Sequence, residues 1–227
     1  MIKAFCNINP FFFIAILLVF SAGSSLAQQV YTGKAWENHI QQIPGKIECE
    51  FYDHGGPEVA YHDTDSTNNG SGKLNPANGT FLNEFRMQEG VDISYTKSNE
   101  VDNNPYNVVE PLMEQFYVGW TEPGEWTKYT VKVEKTGIYA IGLMYTAKGN
   151  GGISIGLDGE LLSSELMIPS TYNENDPLAW RQWHHWNRID SLDTVKLMEG
   201  IHILCIKTVS HGNMNYDYLD FKLIKEE

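Results

Sequence analysis

The sequence predicts an all-β protein, a β-sandwich of the jelly-roll type, on three observations. Short runs rich in β-branched and aromatic residues recur at close spacing from residue 46 onward. Glycine-rich turns separate them, and the chain shows no heptads and no internal repeat. Its length suits one sandwich domain with an ample core.

Residues 1–27 carry one charge, Lys3, then an apolar run from Phe11 to Phe20 and the small residues Ser25-Leu26-Ala27 before Gln28. A basic start, a short apolar run and a small-residue site read as a secretory signal peptide cleaved near Ala27, and ten apolar residues are too few to span a bilayer. Residues 28–42 form a lead-in with a short helix expected over 35–42, and the sandwich domain is expected over 43–227. Ile43-Pro44-Gly45 signals a turn that launches a strand over 46–52, with Ile47, Cys49 and Phe51 on one face and Glu48 and Glu50 on the other. Residues 53–83 are mostly turn formers, and so long a run in a compact domain is more often functional than incidental.

Strands follow over 85–87, 91–95 and 116–120, and the turn at 121–124 leads into 125–133, where Tyr129, Val131 and Val133 alternate with Lys128, Thr130 and Lys132. Residues 138–146 and 153–157 come next with a hairpin turn expected between them at 149–152, and Asp158-Gly159 signals a second hairpin into 161–167. A polar loop, a strand over 180–189 and strands over 195–198, 201–209 and 216–224 complete the chain.

Formal net charge is −13, or −14 once Lys3 leaves with the leader. Such a surface repels nucleic acid and anionic lipid, so neither is an expected partner, and anionic polysaccharides are disfavoured. Cys49 and Cys205 remain after processing and are expected to be unpaired. Asp63-Thr64-Asp65 begins like a calcium loop, but Asn68 and Leu74 occupy the positions where an EF-hand needs glycine and glutamate. No Gly-x-Ser-x-Gly elbow and no His-Glu-x-x-His motif is present, and His184 and His185, adjacent on an expected strand, should point one into the core and one to solvent. An acidic chain still offers carboxylate pairs, which leaves a glycoside hydrolase or lyase as one alternative to a non-enzymatic binding role, and a protein-binding adhesion module on the same sandwich as another. Tryptophans at loop ends offer flat apolar faces to the C–H faces of sugars, and asparagine amides pair with hydroxyls. Trp126 and at least one of Trp180, Trp183 and Trp186 are expected in the core.

The last strand region, Gly212 to Leu223, carries Asn213 and Asn215 at its start and Asp217 and Asp220 further in. Asn215 and Asp220 lie roughly 17 Å apart on a strand, so they serve two sites rather than one.

The segments IPGKIECEFYD at 43–53, AYHDTDSTNNG at 60–70, EGVDI at 89–93, VGWTEPGEWTKYTVKV at 118–133, TGIYAIGL at 136–143 and NMNYDYLDF at 213–221 together resemble carbohydrate-binding module family 6, in the family's order. The resemblance implies a jelly roll that binds plant or algal polysaccharide of β-glucan or xylan type, often in company with a glycoside hydrolase, and that carries a structural calcium (Ca2+). It implies calcium ligands at Glu48, Glu50 and Asp220. It places Trp120 as the first stacking aromatic, Asn215 as the hydrogen-bonding amide, Trp180 or Trp183 as the second aromatic, and Tyr61 or Asp63 as a further contact. The longer loops at 71–83 and 96–114 depart from shorter members and are expected to narrow the cleft.

Overall fold

The computed structural model describes residues 31–227, so the expected signal peptide and its cleavage point lie outside the described residues. In chain order the strands are β1 (Gln41–Ile43), β2 (Gly45–Glu48), β3 (Tyr61–His62), β4 (Ser71–Gly72), β5 (Asn75–Pro76), β6 (Ile93–Tyr95), β7 (Phe116–Val118), β8 (Trp126–Val133), β9 (Gly137–Ala147), β10 (Gly151–Leu157), β11 (Glu160–Ile168), β12 (Asn187–Leu197), β13 (Gly200–Ser210) and β14 (Met214–Glu226). A short helix, α1 (Phe81–Glu84), follows β5.

Two six-stranded sheets form a sandwich. One runs β1-β8-β13-β10-β11 with β3 beside β8, the other β12-β9-β14-β7-β6 with β2 beside β14. From β8 onward the chain crosses repeatedly between the sheets, as a jelly roll requires. The alternation in β8 places Tyr129, Val131 and Val133 in the core, where they join Ile153, Ile155, Leu204 and Ile206 of the same sheet. Ile141, Leu143, Leu219 and Phe221 fill the core from the opposite sheet. Each such side chain contributes about 1.5–3 kcal/mol of apolar burial. A smaller cluster of Tyr117, Met144, Trp186 and Tyr218 packs against Val109 of the 96–114 loop.

Several elements depart from the sequence expectations for identifiable reasons. The helix expected over 35–42 is a 3-10 turn at Trp36–Asn38 followed by β1, because Gln41–Ile43 pairs in parallel with β8. The lead-in is thereby stitched into the sandwich, and Tyr31 Oη donates to Asp53 at 2.9 Å. The strand expected over 46–52 ends at Glu48 and turns into a 3-10 segment at Cys49–Phe51. There Tyr129 Oη donates to Cys49 O, and the buried Arg86 guanidinium donates to Tyr52 O and Asp53 O, replacing ladder partners. The same turn region of Arg86 occupies 85–87 in place of a strand.

The loop at 149–152 is not a hairpin, since β9 and β10 belong to different sheets. The expected strand over 180–189 begins only at Asn187; residues 180–183 form a turn and 184–186 are irregular, held by side chains. Asp158-Gly159 does form the two-residue hairpin between Leu157 and Glu160, with φ of 53° and 86° at its central residues. Cys49 and Cys205 are unpaired. Trp126 is half-buried rather than core, whereas Trp186 is fully buried.

Because Gly159 sits in the left-handed region, Gly159→Val is expected to destabilise the domain by about 1–2 kcal/mol, read as a lower urea midpoint with unchanged slope.

Candidate functional site

The end of the sandwich where β7 stops and β14 starts is organised by Asn215, whose side chain is completely buried. Its Oδ1 accepts the Trp120 backbone N–H at 2.9 Å, and its Nδ2 donates to Thr146 Oγ1 at 2.8 Å and to His184 Nδ1 at 2.9 Å. Gly119 allows this approach: a Cβ there would lie 3.1 Å from Asn215 Oδ1 and 3.1 Å from the Tyr117 ring. Trp120 takes a φ of 48°, a left-handed conformation that costs a bulky residue roughly 1–2 kcal/mol and is fixed here by the amide.

His184 carries the network onward. With Nδ1 accepting from Asn215, its proton is on Nε2, which donates to Asp102 Oδ1 at 2.6 Å; the Trp186 indole N–H donates to the same oxygen at 2.8 Å. Burial pushes the Asp102 carboxyl up, but the bonds from His184, Trp186 and the Lys97 N–H outweigh that and hold it below its ordinary range. Both histidines are therefore buried, against the expectation of one in and one out, because they lie in an irregular segment rather than a strand. His185 Nε2 lies 2.9 Å from Asp176 Oδ2, and its Nδ1 lies 3.0 Å from Thr171 O. Asp176 also accepts two bonds from Arg181, at 2.7 and 3.0 Å.

Arg181 Nη1 donates to Glu100 O, Tyr106 Oη donates to Asn175 O, and the Val108 and Val109 N–H groups donate to Trp186 O. These bonds clasp the loops at 96–114 and 169–186 together over Asn215.

The structure gathers some of the expected sugar-site residues and separates others. Trp120 and Trp183 are half-buried, and both connect to His184: Trp183 packs edge-on to its ring at 5.7 Å, and Trp120 hangs from Asn215, its partner. Asn215 positions Trp120 and His184, with both amide hydrogens directed into the protein. Trp180 stands apart at the loop tip, 57% exposed. Tyr61 is a core residue whose Oη accepts the Gly90 N–H, and it packs edge-on against Tyr52. Asp63 lies in a separate small pocket with His62, Glu125 and Trp126, floored by the buried Thr127, Thr208 and Tyr216. Burial and the carboxylates of Glu125, Asp92 and Asp65 push Asp63 up to about 7, against a backbone bond from Asp65 that lowers it. His184 was not singled out from the sequence as a site residue; its place in Trp-x-x-Trp, between Trp183 and Trp186, is the signal that could have found it.

Where β2 pairs with β14 at Tyr218, three residues past Asn215, Glu48 and Glu50 share Gln115 Nε2, which lies 3.4 and 3.3 Å from their carboxylates. The third acid beside them is Asp217 rather than Asp220. A bulge between Tyr216 and Tyr218 leaves Asp217 out of the ladder, whereas Asp220 lies opposite Lys46 with its carboxylate 3.3 Å from Lys222. Burial and then the Glu48 charge push Asp217 up to about 8, and burial and Glu48 push Glu50 well above its ordinary range. Glu50 Oε2 and Asp217 Oδ1 are buried without a hydrogen-bond partner. Orphaned, mutually repelling carboxylate oxygens form a donor set that fits a hard cation. Among the described residues no three acidic, histidine or cysteine side chains are already drawn to metal-binding distance, so an ion would need main-chain or water oxygens to complete its shell.

No protein-family model and no curated protein matches the sequence. Solved structures do. The module from Cellvibrio mixtus lichenase 5A in complex with cellotriose is 21% identical, covers 48% of this chain and 79% of its own, and has a TM-score of 0.39. A β-1,3-glucan-binding module from Bacillus halodurans is 15% identical over 81% of this chain and 99% of its own, with a TM-score of 0.45. The C-terminal module of the laminarinase LamC from Zobellia galactanivorans is 22% identical over 57% of this chain and 93% of its own, with a TM-score of 0.38. All three are family 6 carbohydrate-binding modules. The motifs quoted from this sequence resemble the same family.

A carboxylate held below its ordinary range stabilises the fold at and above that range, and the contribution is lost as the pH falls through the depressed value. Asp176 is such a group: burial pushes it up, and the bonds from Arg181 and His185 carry it far below. Asp176→Ala is expected to cost about 3 kcal/mol near pH 6 by stranding Arg181, and the gap from the wild type should shrink as urea unfolding is repeated toward pH 2.

Proposed function

We propose that the chain binds a neutral polysaccharide without transforming it, at the sandwich end flanked by Trp120 and Trp183. The observation that carries this reading is that two half-exposed indoles are held on either side of one hydrogen-bonded unit, Asn215–His184, by side chains whose own polar groups point into the protein. Fixed aromatic faces suit the C–H faces of pyranose rings and lose little entropy on binding. The family resemblance of the Val118-Gly119-Trp120 and Asn215-to-Phe221 segments supports the same ligand class, of β-glucan or xylan type. The negative charge of the chain favours a neutral glycan over an anionic one.

In this reading Glu48, Glu50 and Asp217 hold a calcium ion that neutralises three clustered carboxylates and ties β2 to β14, a structural role rather than a chemical one. The protein is exported after cleavage near Ala27 and acts beside a glycoside hydrolase that degrades the bound glycan. Association with nucleic acid or membrane has no place in it.

A second reading, hydrolysis of the glycan by this chain, is favoured by one observation, the raised Asp63 beside Glu125.

In affinity electrophoresis through gels containing laminarin, mixed-linkage β-glucan or xylan, the mature chain should be retarded by at least one glycan. Trp120→Ala and Trp183→Ala should each weaken retention about tenfold, corresponding to the loss of one stacking contact. Unimpaired retention of both variants would move the site elsewhere, and steady release of reducing sugar would favour hydrolysis.

Calcium added to chelator-treated protein should raise Tm, and the double variant Glu50→Gln with Asp217→Asn should not respond. An equal response in that variant would remove the three acids as ligands.

A further inference from the structure

Asn69, Asn78 and Asn150 each precede a glycine, and the structure treats one of the three differently. Glycine leaves the following backbone nitrogen unshielded, so an asparagine carboxamide beside it is open to attack from within the chain. At Asn69 the carboxamide is tied down, with Nδ2 donating to Asp65 at 3.2 Å and Oδ1 accepting from Lys73 at 3.1 Å. The Gly70 N–H there is engaged by the buried Asn68 Oδ1 at 2.9 Å. At Asn150 the Oδ1 accepts from the Ser170 N–H at 2.9 Å, and Gly151 is fixed in β10 opposite Ile168, where a Cβ would meet Met214 Sδ at 2.5 Å. Asn78 is exposed together with Gly79 and Thr80, and nothing lies within 4 Å of where a Gly79 Cβ would stand.

The bonds around Asn78 match the parts of an intramolecular acyl transfer. Its Oδ1 accepts from the Thr80 N–H at 3.0 Å and from Thr80 Oγ1 at 2.6 Å. Two donors on that oxygen draw electrons from Cγ and stabilise the oxyanion that forms when a nucleophile adds there. The Gly79 N–H, on the nitrogen next to that carbon in the chain, donates to Glu84 Oε1 at 2.5 Å, and a carboxylate so placed takes the proton as the nitrogen attacks. Both flanks are anchored: Asn83 Nδ2 donates to Pro76 O at 2.8 Å, Tyr95 Oη donates to Asn83 Oδ1 at 3.1 Å, and the Glu84 N–H donates to Thr80 O at 3.1 Å. The Thr80 side chain makes no cap bond to α1, so its hydroxyl serves Asn78 rather than the helix. Nucleophile, base and oxyanion donors are thus held together within residues 78–84.

We propose that Asn78 is a self-modifying site, at which the folded chain converts its own carboxamide to aspartate and isoaspartate. The Gly79 nitrogen bonds to Asn78 Cγ as its proton passes to Glu84 and the carbonyl electron pair moves onto Oδ1. Collapse of that oxyanion breaks the Cγ–Nδ2 bond, and Nδ2 leaves as ammonia with the proton returned by Glu84. Water then opens the five-membered imide at either carbonyl, releasing a proton and leaving a carboxylate, with the main chain running through its original path or through the former side chain. Either product sets a new negative charge beside Glu84, and the isoaspartyl one also lengthens the main chain between 78 and 79. The start of α1 is loosened in consequence, where Phe81 packs edge-on to Phe85 at 5.2 Å and to Phe116 at 5.6 Å. The loop at 71–83 therefore changes in one direction as the protein ages.

The test incubates the full mature chain at neutral pH and follows Asn69, Asn78 and Asn150 by peptide mapping, with aspartate and isoaspartate products separated by chromatography. Folded protein should convert Asn78 about tenfold faster than the same chain unfolded in guanidinium chloride, whereas Asn69 and Asn150 should convert more slowly folded than unfolded. Glu84→Gln keeps an acceptor for the Gly79 N–H but takes no proton, so it should hold the wild-type Tm, slow conversion of folded Asn78 about tenfold and leave the unfolded rate unchanged. Thr80→Ala should slow the folded reaction less, because the Thr80 N–H still donates to Oδ1. A folded wild-type rate at Asn78 equal to or below the unfolded one would overturn the proposal whatever the variants do. An undiminished folded rate in Glu84→Gln with an unchanged Tm would overturn it as well, since the base would then be idle.

Discussion

One buried carboxamide organises the end of this sandwich. Asn215 accepts from the Trp120 N–H and donates to Thr146 and His184, so a single side chain sets the conformation of β7's exit, the last strand's entry and the 169–186 loop. In a low-dielectric interior each of these groups would be costly to leave unpaired, so the arrangement has few alternatives. The left-handed Trp120 is tolerated because that network over-determines it. From His184 the same logic passes to Asp102 and Trp186, and a neighbouring one joins His185, Asp176 and Arg181, which clasps the two long loops. The outward indoles are therefore rigid not by their own packing but by what their backbones are tied to.

The stretch of β14 just past Asn215 follows a different constraint. Glu50 and Asp217 are buried beside the half-buried Glu48; desolvation raises all three carboxyls, and the Glu48 charge raises the other two further. Such a set is stable only if protonated or bridged by a cation, whereas the Asn215 network is complete within the protein. Within a few residues of β14, a site closed by neutral hydrogen bonds thus adjoins one whose charges ask for a partner.

The fold was largely legible in the sequence because β8 obeys a period of two and glycine turns bracket the apolar runs of β9, β13 and β14, which lie where those turns put them. Legibility failed where side-chain partners replaced the ladder. Cys49–Phe51 leaves the sheet because Tyr129 takes the Cys49 carbonyl and Arg86 the Tyr52 and Asp53 carbonyls that follow, and residues 180–186 stay out of the sheet because Asp102, Asp176 and Asn107 bind them. Both facts depend on residues at least 30 positions away or on a buried acid no periodicity reveals. At the sites, Trp120 and Asn215 were found as a pair, but their contact is backbone to amide, a role invisible in residue types. Asp220 is expected as a calcium ligand from the family resemblance alone, and the bulge that leaves Asp217 beside Glu48 and Glu50 has no signal in the sequence.

The most direct test of the central claim is the response of the six indole N–H signals of the protein to titration with a laminari- or cello-oligosaccharide, followed by two-dimensional NMR. The account requires the Trp120 and Trp183 signals to shift and saturate together while the fully buried Trp186 signal, bonded to Asp102, stays in place. Saturable shifts confined to Trp126 beside Asp63, with Trp120 and Trp183 unmoved, would contradict it.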